Sequence, residues 1–242
     1  MSKTDNIYSK QRAQIDGFSF DEQVVQVFPD MIKRSVPGYE KIISSIAMIT
    51  ERCAVENSNL YDLGCSLGAA TLSMRRGLNK QGCKIIAVDN SQQMVERCEQ
   101  YIHAYKSDTP VKVLCDDICN IHIENASVVI LNFTLQFLTP EKRLSLLTNI
   151  YNGLLPGGVL VLSEKFVFED ALNHQLLIDL HLDFKRGQGY SELEISQKRA
   201  SLDNVLIADT VEQHYARLQQ AGFKHNNLWY QYFNFGSIIS IK

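Results

Sequence analysis

The chain has 242 residues, enough to bury a substantial core, and its length fits one domain spanning residues 1–242 better than two. It carries 24 basic and 27 acidic residues, a net charge of −3, which excludes any global pull toward a phosphate backbone or an anionic membrane. Its six cysteines lack a C-x-x-C pair and zinc-ligand spacing, and no apolar run reaches spanning length; a cytoplasmic protein with reduced thiols, each packed as a small buried hydrophobe, is expected.

Residues 1–37 read as an N-terminal cap, with an aromatic pair at Phe18 and Phe20 and two helical turns over Asp21–Phe28 that should end before Pro29. After Pro37-Gly38, the helical spacing of Ile42, Ile43, Ile46, Ala47 and Ile49 gives one apolar face to pack on a sheet. Strands and helices then alternate. Asn59–Leu63, Lys84–Asp89, Val111–Cys115, Ser127–Asn132 and Val159–Ser163 read as strands, the last following a Pro156-Gly157-Gly158 turn. Ala69–Leu78, a segment from Ser91, and Pro140–Gly153 read as the helices between them. Residues 165–205 form a helical insertion: Asp170–Phe184, an interruption at Lys185–Tyr190, then Ser191–Leu202. A helix ending near Gly222 precedes two β-type runs, Trp229–Asn234 and Gly236–Ile241, close enough to form an antiparallel hairpin. The pattern predicts an α/β, doubly wound, Rossmann-like fold with a mostly parallel seven-stranded sheet.

The chemistry gathers at the carboxyl ends of the strands. Gly64 and Gly68 follow the first strand, where a missing Cβ lets backbone approach a ligand and the next helix offers free N–H groups. Asp89 ends the second strand, placed to accept hydrogen bonds from two ribose hydroxyls, although it also suits a helix cap before Ser91. Asp116-Asp117-Ile118 follows the third strand, where a carboxylate can receive an adenine amine and a neighbour can pack on the ring; a solvated turn is the plainer reading. Asn132 closes the fourth. The glycines do not spell G-x-G-x-x-G, which disfavours a dinucleotide.

These residues, Asp62-Leu-Gly-Cys-Ser-Leu-Gly68, Asp89, Asp117, Leu154-Leu-Pro-Gly-Gly158 and the terminal hairpin, resemble class I methyltransferases over residues 38–242. A closer resemblance runs nearly end to end. Phe28-Pro-Asp-Met31, Arg34-Ser-Val-Pro-Gly-Tyr39, Tyr61–Ala69, Gln197-Lys-Arg199 and Phe233-Asn-Phe-Gly236 are similar to the carboxy-S-adenosyl-L-methionine synthase family. The resemblance implies conversion of S-adenosyl-L-methionine and prephenate to carboxy-S-adenosyl-L-methionine and phenylpyruvate, through a sulfonium ylide that captures carbon dioxide. It implies that Tyr39, Gly64, Cys65, Ser66, Asp89, Asn90, Asp117, Ile118, Asn132 and Arg199 hold the adenosyl ligand, with Arg199 on the new carboxylate. It further implies a homodimer and a product passed to a tRNA carboxymethyltransferase acting on wobble uridine; from charge and ligand spacing, no direct nucleic-acid binding and no metal are expected.

Prephenate carries two carboxylates, for which Lys165, Lys185, Arg186 and Lys198 are candidates. His174 and His181 share a helical face but have no third ligand at metal spacing. The aromatic run Trp229–Phe233 fits a core or subunit contact better than a base-stacking platform. Two other functions stay open on the residues alone: an ordinary methyltransferase acting on a small molecule or tRNA, and a catalytically silent, ligand-binding scaffold subunit.

Overall fold

The structure, a computed structural model, describes residues 3–242. Five parallel strands form its centre: β1 (Asn59–Leu63), β2 (Lys84–Asp89), β3 (Val111–Cys115), β4 (Ala126–Asn132) and β5 (Leu154–Lys165). The hairpin β6 (His225–Tyr232) and β7 (Phe235–Ile241) adds antiparallel to β5, giving the order β3-β2-β1-β4-β5-β7-β6. Side chains of a strand alternate between faces, and both faces here are apolar. Leu63, Val88, Leu131 and Leu162 pack under α5 (Pro140–Gly153) and α8 (Val211–Ala221). Leu60, Ile85, Ile130 and Val161 pack under α2 (Tyr39–Cys53) and α3 (Ala69–Gly77), while α4 (Gln92–Ala104) covers Ala87 through Cys98 and Ile102. Strand order reverses between β1 and β4, and this opens a crevice at their carboxyl ends.

That crevice is roofed. α1 (Glu22–Ser35) sets Val24, Val27 and Met31 against Leu67 and Met94, beside the first Gly loop. α6 (Ala171–Gly187) and α7 (Glu192–Leu202) lie between β5 and α8. The N-terminal segment is sewn to them: Tyr190 Oη donates to Asp5 (2.5 Å), Gln197 Nε2 to the carbonyls of Tyr8 and Lys10 (2.9 Å each), and Phe18 N to the Ser201 carbonyl (2.7 Å).

Several sequence expectations need correction. Pro29 does not end the first helix; α1 runs through it, and burial of Val24, Val25, Val27 and Met31 offsets the missing backbone hydrogen bond. α6 likewise continues through Lys185 and Arg186 to Gly187, because those cations lie in its last turn, where the helix dipole favours them. β5 begins at Leu154, ahead of the Pro-Gly-Gly turn, which bulges out between the pairs Ala126–Leu154 and Val128–Val159. β6 ends at Tyr232, leaving Phe233 and Asn234 as a two-residue turn. Cys65, Cys83 and Cys98 are buried as expected, but Cys115 is exposed on the edge strand β3 and Cys53 and Cys119 are half-buried.

Candidate functional site

The turn after β1 folds back on β2: Gly64 N and Cys65 N donate to the Val88 carbonyl at 2.8 and 2.9 Å. Gly64 has φ 85°, and a Cβ there would collide with the Thr134 side chain; a Cβ at Gly68 (φ 81°) would meet Cys98 Sγ at 2.8 Å. Both glycines are therefore required by conformation and by space. The turn also orients Asp89, whose Oδ2 accepts from Ser66 N (2.8 Å) and whose Oδ1 accepts from Ser91 N (3.0 Å). Burial raises the Asp89 carboxyl while these donors pull it back, so it stays a fixed acceptor at the cavity wall. Asp89 is not the helix cap the sequence also allowed: Ser91 caps α4, its Oγ accepting from Met94 N (3.3 Å).

Two further oxygens wait in this wall. Asp62 is fully buried; its Oδ2 accepts from Thr71 Oγ1 (2.5 Å), but Oδ1 has no partner among the described residues. Burial, only partly countered by Thr71, pushes its carboxyl up to about 6. Asn132 Oδ1 is equally unpartnered, at the end of β4 where Phe133 takes a φ of 61°, strained for a bulky residue. Tyr39 stands close by, its phenol raised by burial and then by Asp62. Asp117 accepts from Cys119 N (2.9 Å) and caps a short 3-10 turn, Ile118–Asn120.

All of these border one cavity of about 1000 Å³. Every residue expected at the site lines it: Tyr39, Gly64, Cys65, Ser66, Asp89, Asn90, Asp117, Ile118, Asn132 and Arg199. Orphaned buried oxygens, a cradle with no room for a Cβ, and a carboxylate held by backbone fit an adenosyl ligand bearing an amino acid.

The opposite wall is cationic. Lys165 ends β5; Lys185 and His181 come from α6, and Lys198 and Arg199 from α7. Lys185 is 7% exposed, and burial, reinforced by Lys198 and Lys165, brings its ammonium down to about 7. Lys198 falls to about 8 through burial, countered by Asp5 at 3.6 Å, and donates to Ser35 Oγ (2.9 Å). Lys165 is lowered by burial and then by Arg199. His181 drops to about 3 through burial, with Nε2 2.9 Å from the Ser35 carbonyl, so the ring is neutral. Arg199 borders the cavity from the exposed face of α7 and has no ion-pair partner among the described residues. Arg186, a candidate from sequence, is not part of this wall; it is spent on Glu192 (2.6 Å) and Asp183 (2.7 Å) at the surface.

Sequence reasoning overlooked Glu164, a buried carboxyl raised by burial to about 8 that accepts from Leu135 N and Gln136 N and pins the 3-10 turn Leu135–Phe137 over the cavity. The signal was a lone acid in the apolar strand β5. It also overlooked Asp62 as an unpartnered acceptor lining the cavity, although the Gly-loop motif begins there, and it considered His181 only as a metal ligand. His174 Nδ1 accepts from Phe168 N (3.3 Å), and no group of three or more His, Cys, Asp or Glu able to hold a metal occurs among the described residues. Nor is any helix among them long and apolar enough to cross a membrane. Trp229 donates from Nε1 to Ser237 Oγ (3.0 Å) and packs with Tyr230 on the core beneath α2.

The methyltransferase-domain family matches residues 60–158. Among solved structures, human N-acetylserotonin methyltransferase in complex with S-adenosylmethionine superimposes with a TM-score of 0.60 at 18% identity, over 91% of this chain and 55% of that one. An S-adenosylmethionine-dependent methyltransferase from Aquifex aeolicus gives 0.60 at 14% identity, over 92% and 99%. These likenesses establish the class I methyltransferase fold. The carboxy-S-adenosyl-L-methionine synthase of Psychromonas ingrahamii is 94% identical over the whole of both chains, and that of Vibrio vulnificus is 61% identical over 100% of this chain and 98% of its own. The fold, the two-walled cavity and this identity along its full length together mean that the chain belongs to the carboxy-S-adenosyl-L-methionine synthase family.

Proposed function

We propose that the chain converts S-adenosyl-L-methionine and prephenate to carboxy-S-adenosyl-L-methionine and phenylpyruvate. The observation that carries this reading is the pairing of an acidic, oxygen-rich wall with a buried cationic wall across one cavity. The first suits ribose hydroxyls and a ligand ammonium. The second has no use in transferring a methyl group to a neutral acceptor, but it suits a dianion entering beside the sulfonium.

The chemistry balances without a strong protein base. Prephenate loses carbon dioxide and hydroxide to become phenylpyruvate; the hydroxide takes a proton from the sulfonium methyl to form water, and the resulting carbanion attacks the carbon dioxide. A roof that excludes water protects that carbanion, the part assigned to α1, α6, α7 and the N-terminal segment. Asp89 takes the ribose, Asp62 and Asn132 the amino-acid end, and Arg199 the carboxylate that is installed. Lys165, Lys185 and Lys198 take the carboxylates of prephenate. We place the enzyme in the cytoplasm as a homodimer that binds no nucleic acid itself and hands its product to a tRNA carboxymethyltransferase acting on wobble uridine.

The test is to incubate purified protein with S-adenosyl-L-methionine and prephenate and to follow phenylpyruvate. Formation that depends on S-adenosyl-L-methionine supports the reading; transfer of an intact methyl group to an acceptor, with no phenylpyruvate, replaces it with an ordinary methyltransferase.

A further inference from the structure

The turn between β6 and β7 is unusual for a hairpin tip, because its second residue is inside the protein. Asn234 is 1% exposed, lines the cavity, and has no hydrogen-bond partner on either Nδ2 or Oδ1 among the described residues. A buried carboxamide with both ends unpaired is costly unless something pairs with it.

The surrounding motif, Phe233–Gly236, holds this side chain in place. Phe233 adopts a φ of 54°, a strained value for a bulky residue. The Asn234 carbonyl accepts from Phe166 N (2.7 Å), which ties the turn to the end of β5 next to Lys165. At Gly236 a Cβ would meet the Phe166 ring at 2.5 Å and the Tyr230 carbonyl at 2.9 Å, so only glycine lets the turn sit this deep. Phe235, the next residue, pairs with Lys165 across the sheet, and its ring lies 4.8 Å from that of His181. Asn234 therefore stands beside the cationic wall.

The charged groups of that wall, Lys165, Lys185, Lys198 and Arg199, are donors only. They match carboxylates. A hydroxyl needs an acceptor as well as a donor, and Asn234 offers both from one side chain, whereas His181 has already committed Nε2 to the Ser35 carbonyl.

We infer that Asn234 is a specificity-determining residue that binds the hydroxyl of the second reactant, a hydroxylated dicarboxylate whose two carboxylates lie on the lysines. The inference rests on the reading of that reactant as prephenate. Asn234 fixes the group that departs as hydroxide, and so sets where the base appears relative to the sulfonium methyl.

The experiment uses Asn234→Ala and the near-isosteric Asn234→Asp, which keeps the turn's volume but removes the donor. For each variant, KM for prephenate, the inhibition constant of phenylpyruvate, which lacks the hydroxyl, and the Kd for S-adenosyl-L-methionine are measured. We expect KM for prephenate to rise about tenfold or more in both variants, with phenylpyruvate inhibition of Asn234→Ala and binding of S-adenosyl-L-methionine by both unchanged. An unchanged KM for prephenate, or an equal loss for prephenate and phenylpyruvate in Asn234→Ala, overturns the hydroxyl assignment. Loss of S-adenosyl-L-methionine binding in both variants overturns it in favour of an adenosyl or structural role. If the unmodified protein forms no phenylpyruvate at all, it is the underlying reading that fails.

Discussion

The two walls of the cavity were built by different rules. The acidic wall is made at the ends of β1 to β4 by contacts within and between adjacent strand ends: Asp89 is held by Ser91 N and by Ser66 N of the neighbouring turn, and Asp62 by Thr71 of the helix that follows it. The cationic wall is assembled from β5, α6 and α7, and the N-terminal segment is hydrogen-bonded across the last of these. The first presents fixed acceptors, which is why it is proposed to receive a ligand with hydroxyls and a positive end. The second gathers Lys165, Lys185, Lys198 and Arg199 with a carboxylate, Asp5, beside Lys198, an arrangement that costs stability and is the reason a substrate role is proposed for it.

Breaking the acidic wall should have the largest effect. Asp89→Ala removes a charged acceptor for two hydroxyls and should weaken S-adenosyl-L-methionine by about 100-fold, on the order of 3 kcal/mol, by calorimetric titration. A change of under about threefold, on the same scale, would remove Asp89 from the ligand. Next comes Arg199→Ala, which should weaken the carboxylated ligand by about tenfold or more while leaving S-adenosyl-L-methionine nearly unaffected; equal losses for the two would mean that Arg199 does not touch the carboxylate.

The cationic wall can be probed through its protons. Lys185 faces Lys165, Lys198 and Arg199, with Asp5 as the opposing charge and His181 neutral nearby. In the free enzyme its ammonium is lost as pH rises through about 7, so KM for prephenate should climb above that pH. Lys185→Met should raise KM about tenfold at pH 6.5 and flatten the climb. The same change carries a sign for stability. Between about 7 and 10.5 the unfolded chain keeps a proton that the folded Lys185 has released, so stability rises with pH across that window; Lys185→Met should abolish that share of the rise.

The smallest effect concerns Asp62, whose carboxyl is raised from 3.8 to about 6. Folded stability is lost as pH climbs through that window, because the buried group must give up its proton. Asp62→Asn should therefore raise Tm at pH 7 by about 2–4 °C while weakening S-adenosyl-L-methionine. A fall in Tm would mean that the Thr71 hydrogen bond outweighs burial.

The same contrast explains what could be read from the chain. The β/α alternation, the Gly loop, Asp89 and Asn132 are local: apolar runs of strand length and glycines at forced turns reveal them at once. Lys165, Lys185 and Lys198 could be named as candidates, but Arg186 was indistinguishable from them, because only the fold turns it away from the cavity, toward Asp183 on α6 and Glu192 at the start of α7. Pro29 misled for a related reason: a helix bearing a well-buried face tolerates one missing hydrogen bond, and that burial comes from Leu67 and Met94, distant in sequence. Asn234 was visible only inside a motif, since its isolation from partners is a property of the folded turn.

The two walls are proposed to bring a sulfonium and a dianion together so that carbon dioxide is captured. The most direct measurement is the mass of the adenosyl compound released by denaturing the protein after purification. Carboxy-S-adenosyl-L-methionine, S-adenosyl-L-methionine plus one carbon dioxide, is the predicted result; S-adenosyl-L-methionine or S-adenosylhomocysteine alone, with no carboxylated species even after prephenate is supplied, would contradict it.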